Sequence, residues 1–360
     1  MARILTGLIM FLTSLTMSMT IWFSWEGLDA FKSLVKEFSK ETGIRVDVVY
    51  IPKNAYEKLS MAWKAGAGVP DLVLLKNDEL GKVSYMLERL ERSDNLTEKS
   101  LEAFTLNGGL LGIPVYSDIG GVFFYRGNAP NARSIEDLVK IFKDEKNALM
   151  LPIYGRYYFQ VFQRAFGKNT DLYLKDESTK RAIEYILWLR KEVPYLPKDG
   201  RSAIGLFMKG EAKVLMFGSF LIPKFLSKHI DFGIMNPPLV EKARNRISPN
   251  IDYKGFVVVK GHLNSNVKKF LEFISSKEFQ EKFCEKLYKL PTNEKAAKAL
   301  SEDPIFGKLK EYEKYGKPTP SDPNSWRYYE AINAILKLIM RGVDDPEVLL
   351  KSGRKVISGK

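Results

Sequence analysis

GIPVYSDIGGVFFY, residues 112–125, is the stretch whose reading decides the fold. It opens on a strand-like run, Ile113, Val115 and Tyr116, and turns polar at Ser117 and Asp118. It then passes through Gly120-Gly121 into a second apolar run, Val122 to Tyr125. Strand, polar break, glycine pair and strand describe a backbone that crosses between two bodies and brings a carboxylate close to something. The same letters also fit two ordinary strands joined by a turn. The order of the surrounding segments favours the crossing.

Upstream, residues 20–24 (TIWFS) read as a buried strand, and Trp25-Glu26-Gly27 lead into a helix over about 28–42. Its apolar residues Leu28, Phe31, Leu34, Val35 and Phe38 recur at three and four, and Gly43 stops it. A strand over 44–51, a helix over 55–65 and a short strand LVLL after Pro70-Asp71 follow. This alternation predicts a parallel sheet with crossover helices. Ligands of such sheets sit beyond the C-terminal ends of the strands, here at Trp25-Glu26 and at Lys76-Asn77-Asp78. Asp78 suits a helix N-cap as well as a ligand contact.

Downstream, Asn107-Gly108-Gly109 predicts a hairpin turn, and Ser134 to Asp137 a helix start. Residues 154–159 are dense in aromatics around Arg156. A strand over 213–217 ends in Gly218-Ser219-Phe220. A strand over 253–259 is expected to return to the first body. Residues 264–287 read as a helix broken near Ser275-Ser276, and 325–341 as a helix that starts Ser-Trp-Arg-Tyr-Tyr.

Composition bounds the function. The 360 residues are 45% apolar and 28% charged, which are globular values, and the net charge is +13. The cations are mixed with acids at helical spacing, so the charge describes solvated helix faces and no nucleic-acid partner is expected. A single cysteine, Cys284, rules out a disulfide within the chain and a Cys-based zinc site. Residues 1–19 carry a short basic start and an uncharged apolar run, the pattern of a signal peptide. No lipoprotein cysteine follows, so the expected location is periplasmic or extracellular.

In this order the segments resemble the bacterial extracellular solute-binding proteins of ABC importers, in the branch that contains maltose-binding protein. The matching stretches are TIWFSWEGLDAFKSLVKEFSKETGIRVDVVYIP, GVPDLVLLKNDELG, GGLLGIPVYSDIGGVFFYRG and FMKGEAKVLMFGSF. The resemblance implies an α/β, two-lobed periplasmic-binding-protein fold with discontinuous lobes and a hinge of crossing strands. The lobes are expected at 20–116 plus 257–305 and at 117–256 plus 306–360. It further implies a monomer that binds a small-molecule solute, a carbohydrate, by cleft closure and delivers it to a membrane permease. No cofactor, no metal and no catalysis are implied.

Carried over by position, Asp78 and Asp118 are the expected hydroxyl-binding carboxylates, with Tyr158, Phe220, Tyr328 and Tyr329 as stacking aromatics. Trp25, Glu26, Lys76, Asn77, Arg156, Tyr157, Tyr253 and Trp326 complete the expected binding set. Aromatics suit the apolar faces of a pyranose, and carboxylates, Asn and Arg suit its hydroxyl rim. The chain also departs from the family pattern. Leu75 and Lys76 stand where the family has a Trp beside its binding Asp, and Arg156 replaces an acidic position. Lys76, Arg156 and Lys254 would make the cleft cationic, so an anionic solute such as a uronate or a phosphorylated sugar is the alternative. A carbohydrate-active enzyme using Asp78 and Asp118 as an acid/base pair is a further rival. The two histidines are far apart in sequence, and no nucleophile or phosphate-loop motif is present.

Overall fold

The computed structural model describes residues 18–359; the leader expected over 1–19 lies outside them except for its last two positions. Met19 already belongs to the first strand, where it is buried and pairs with Val46, so the fold starts one residue before the expected Thr20.

β1 (Met19–Phe23), α1 (Leu28–Thr42), β2 (Val46–Tyr50), α2 (Ala55–Ala65) and β3 (Leu72–Lys76) form the expected opening, with β1 parallel to both β2 and β3. α1 buries Phe31, Leu34, Val35 and Phe38, and Gly43 closes it in the left-handed conformation. Phe31 stacks on Phe23 at 4.5 Å and on Phe256 at 5.2 Å, which fixes the helix on the sheet. α3 (Leu80–Val83), α4 (Glu98–Ala103) and the hairpin β4 (Thr105–Leu106) and β5 (Gly109–Leu110) lead to the crossing. Asn107 and Gly108 both have positive φ, as a two-residue hairpin turn requires.

The decisive stretch is one strand, β6 (Gly112–Tyr125), and contains no turn. The polar break is a buried part of that strand, and the glycine pair marks a bulge. The register shifts between Gly120 and Val122, and Gly121 has φ +99°. At Gly120 a Cβ would lie 2.3 Å from the Tyr157 ring, so only glycine allows that ring to lie on the strand.

α5 (Ile135–Phe142), β7 (Leu149–Met150), α6 (Arg156–Phe166), α7 (Glu177–Glu192), α8 (Gly200–Lys209), β8 (Val214–Gly218) and α9 (Ile222–Ser227) follow. Next come β9 (Gly233–Ile234), β10 (Leu239–Val240), β11 (Asn245–Arg246) and β12 (Asn250–Val258). The remainder is α10 (Ser265–Ser275), α11 (Lys277–Leu287), β13 (Leu290–Pro291), α12 (Glu294–Leu300), α13 (Pro304–Tyr315), β14 (Lys317–Pro318), α14 (Ser325–Met340) and α15 (Pro346–Ser358). The aromatic run at 154–159 thus enters α6, whose first turn begins at Arg156. Its buried residues Tyr158, Phe159, Val161, Phe162 and Ala165 give the helix its inner face.

The main sheet runs β2-β1-β3-β12-β6-β8-β7. β12 pairs antiparallel with β3 on one side and with the first two-thirds of β6 on the other. The last third of β6 pairs with β8. β6 and β12 are therefore the strands shared by the two lobes, and the expected two-lobed α/β architecture is the one observed. No described helix is long and apolar enough to cross a membrane.

Candidate binding cleft

Strand register creates the site. Lys76 on β3 faces Lys254 on β12, and Asp252 on β12 faces Asp118 on β6. A row of two lysines thus lies beside a row of two aspartates. Like charges directly opposite each other repel, so each must find its counter-charge in the other row or in a loop.

Around Lys76 the result is an open cluster. Its ammonium lies 2.8 Å from Asp78 and 3.5 Å from Asp252. Asp252 also accepts hydrogen bonds from the Tyr157 hydroxyl at 2.9 Å and the Thr319 hydroxyl at 3.0 Å. Burial opposes the charge on Lys76, but Asp252 and Asp78 outweigh it and hold the ammonium above the usual lysine range. Burial raises the Asp78 carboxyl, against the pull of Lys76. Lys76, Asp78, Arg156, Tyr157, Trp326 and Tyr329 line a cavity of about 330 Å³ together with Lys82, Ser325 and Glu330. Arg156 is ion-paired with Glu330, and its guanidinium lies 5.9 Å from the Tyr329 ring. One oxygen of Asp78 and the hydroxyl of Tyr329 are buried without a hydrogen-bond partner. Buried polar groups rarely stay unpaired, and both atoms belong to residues that line the cavity.

Around Asp118 the result is a cluster whose Asp118, Lys254 and Lys289 are buried and whose Glu26 reaches the surface. Asp118 is 3% exposed and is ion-paired with Lys254 and, at 2.6 Å, with Lys289. Lys289 also lies 2.5 Å from Glu26, and Lys254 lies 3.6 Å from it. Burial works to raise Asp118, yet Lys254 and Lys289 hold it well below the usual carboxylate range. This corrects the expectation that Asp118 meets the solute, because its oxygens are committed to lysines inside the crossing. Glu26 belongs to the same cluster. Trp25, in a left-handed conformation, holds its half-exposed ring 4.9 Å from Lys254.

Other expected contacts are also structural. The Asn77 amide is fully buried, donating to Thr319 O at 2.6 Å and accepting from Tyr253 N at 3.1 Å. The Tyr253 hydroxyl donates to Glu313 at 3.2 Å. Tyr158 is buried against Phe217 at 5.4 Å, and the Tyr328 hydroxyl donates to Gln163 at 2.8 Å in the core. Phe220 is exposed beside Phe217 and lies outside the cavity lining. Asp78 does not cap α3. The Glu79 carboxylate accepts from Lys76 N at 2.9 Å at the head of the 3-10 turn Asn77–Glu79 that precedes α3, and burial pushes its carboxyl up to about 7.

Sequence reasoning missed Asp252, Lys289, Glu330, Ser325 and Lys82. Asp252 carried the one available signal, a polar residue two positions before Lys254 on a strand, which places both on one face. Lys289 follows Tyr288, which closes α11 in the left-handed conformation, and nothing local marks it.

The family model for a bacterial extracellular solute-binding protein matches residues 33–308. The chain belongs to that family. A curated relative is the galactooligosaccharide-binding protein of Bacillus subtilis (strain 168). It is 21% identical over 381 residues, covering 95% of this solute-binding protein and 89% of the relative. Among solved structures, the Thermus thermophilus maltotriose binding protein bound with maltotriose matches with a TM-score of 0.79 at 22% identity, covering 95% of this chain and 99% of that one. A cyclo/maltodextrin-binding protein complexed with maltotetraose matches with a TM-score of 0.83 at 21% identity, covering 95% and 96%. These likenesses concern the fold.

Proposed function

We propose that this solute-binding protein holds a neutral oligosaccharide in the Lys76–Asp78–Trp326 cavity and delivers it to the membrane permease of an ABC importer. The lobes, 20–116 with 257–305 and 117–256 with 306–360, close on the sugar by bending at β6 and β12. The observation that carries this reading is charge balance. Lys76 is neutralised by Asp78 and Asp252, and Arg156 by Glu330. Lys254, the third cation expected to attract an anion, is spent on Asp118 and Glu26 inside the crossing. Among the described residues, Lys82 is the cavity cation outside an ion pair, and to reach Lys76 or Arg156 a solute anion would have to displace a resident carboxylate. A neutral sugar has only to hydrogen-bond the polar side chains that line the cavity and to stack on Trp326.

Delivery without chemistry fits the same geometry. A glycosidase acid/base pair needs one carboxyl that gives up a proton to the glycosidic oxygen. Asp118 is held ionised and sealed from the cavity, so it cannot serve. The names of the relatives point to oligosaccharides, and the extracellular family fits an export leader.

Calorimetric titration with maltose, maltotriose, galactooligosaccharides, galacturonate and glycerol phosphate tests the reading. Binding of a neutral member, weakened by Asp78→Ala, is the expected result. Binding of the acidic members alone, lost in Arg156→Ala, would overturn it. Release of shorter sugars during incubation would reinstate an enzyme.

A further inference from the structure

A second cavity, of about 650 Å³, shares no lining residue with the cleft. Tyr125, the last residue of β6, forms part of its wall. Its ring lies against Gly233 of β9, where a Cβ would fall 2.2 Å from it. Gly120, which packs on Tyr157 at the cleft, stands five residues back along the same strand. At roughly 3.3 Å per residue the two sites are on the order of 16 Å apart along β6.

Arg133, Arg246 and Lys308 line this cavity, and no acidic residue does. Backbone pairing brings the arginines together. Leu239 of β10 stands opposite Arg246 of β11, and on its other side Leu239 N donates to Arg133 O at 2.9 Å. Lys308 of α13 reaches the same place, its ammonium 2.7 Å from Asn236 Oδ1. Arg246 donates to Pro237 O and holds its guanidinium 5.5 Å from the Tyr315 ring. Among the described residues, none of these three cations is in an ion pair. The acids of the neighbouring turns are engaged elsewhere. Asp137 accepts from Arg133 N at 2.8 Å and Ser134 N at 3.1 Å, Glu136 from Glu241 N at 3.0 Å, and Glu241 from the Ser134 hydroxyl at 2.7 Å. Like charges held together without a counter-charge repel. In the crossing, Lys254 and Lys289 each meet a carboxylate; here the counter-charge is missing. Pro130, Ile234, Met235, Pro237 and Leu239 give the same cavity an apolar wall.

We propose that this cavity is a second binding site, for a small organic acid that carries two or more anionic groups on a compact hydrocarbon body. The cations offer charge-assisted hydrogen bonds to carboxylate or phosphate oxygens, and the apolar wall covers the body. The volume falls within the ~300–1,000 Å³ of small-molecule pockets, which favours such an acid over a segment of an acidic partner protein. The site is independent of what the cleft holds, because the two cavities have no residue in common.

The test is calorimetric titration at low salt with citrate and with 3-phosphoglycerate, a polycarboxylate and a phosphate ester, with acetate and sulfate as controls. Each titration is repeated in the presence of maltotriose. One equivalent of citrate or of 3-phosphoglycerate should bind at least about tenfold more tightly than either control, and added salt should weaken it. Whichever of the two binds more tightly identifies the acid group. Arg246→Gln and Lys308→Gln should each weaken that acid about tenfold or more and leave sugar binding unchanged. Lys82→Gln, in the cleft, should leave acid binding intact. Displacement of the acid by maltotriose, or its loss in Lys82→Gln but not in Lys308→Gln, would put the anion in the cleft and overturn the proposal. Binding no tighter than that of acetate and sulfate would mean an adventitious ion only and would overturn it too. A hexaglutamate peptide that binds far more tightly than both acids would replace the small ligand with a partner protein. Should Arg246→Gln fail to fold, because its guanidinium also holds Pro237 O, Arg133→Gln and Lys308→Gln decide.

Discussion

The clusters around Asp118 and around Lys76 use the same chemistry for opposite ends. Both combine lysines with carboxylates across β12 and its neighbours. In the first, Asp118, Lys254 and Lys289 are almost wholly buried, and each carboxylate oxygen of Asp118 meets a lysine. In the second, the partners line a cavity, and one oxygen of Asp78 is left without a hydrogen bond. A fully paired, largely buried cluster fixes the crossing strands. A partly paired, open one keeps hydrogen-bonding capacity for a solute. Residue type therefore does not separate hinge from site; the number of partners and access to the cavity do.

The largest way to break this comparison is Asp118→Asn. It leaves Lys254 and Lys289 buried with only Glu26 to share, and breaking such a pair costs roughly 3–5 kcal/mol. Denaturant unfolding should show that loss. Unfolding like the wild type would mean the Asp118 cluster does not hold the crossing together. By contrast, Asp78→Ala should leave Lys76 with Asp252 and act mainly on the solute. Loss of a hydrogen bond to a charged group, about 1.5–3 kcal/mol, should appear in titration as weaker sugar binding.

Acid sharpens the contrast. The Asp118 carboxyl is depressed in the folded protein, so its contribution to stability is present above the unfolded carboxylate value near ~3.9. It is lost only as pH falls through the lower folded value. The stability gap between wild type and Asp118→Asn should thus be full at neutral pH and close only in strong acid. A gap that closes between about pH 5 and 4 would contradict the depressed carboxyl.

The smallest effect separates two adjacent tyrosines. Tyr328→Phe removes a core hydroxyl from Gln163 and should cost about 1 kcal/mol of stability with solute affinity unchanged. Tyr329 lines the cavity, so Tyr329→Phe should weaken the solute more than it lowers stability. The reverse assignment would exchange core and cleft on α14.

Much of this was legible locally. The apolar spacing of α1, its glycine stop and the alternation of strands with helices defined the opening of the first lobe. Lys76, Asp78, Arg156, Tyr157, Trp326 and Tyr329 were named for the site before any geometry, and they line one cavity. The rest was illegible for a physical reason. Asp118 carries the motif of a solute contact, and Tyr328 stands beside Tyr329 in one motif. Only packing decides that one of each kind faces inward.

By itself the sequence determined the strand–helix alternation of the opening, because helix and strand periodicities and their punctuation by glycine are properties of neighbouring residues; the two lobes were implied by the family resemblance. Tertiary structure alone decided that Lys76 faces Lys254 and Asp252 faces Asp118. It also decided that Lys289 arrives from 171 residues away to complete the Asp118 cluster. Strand register and loop contact join residues far apart in the chain, and no local pattern encodes which charges they will bring together.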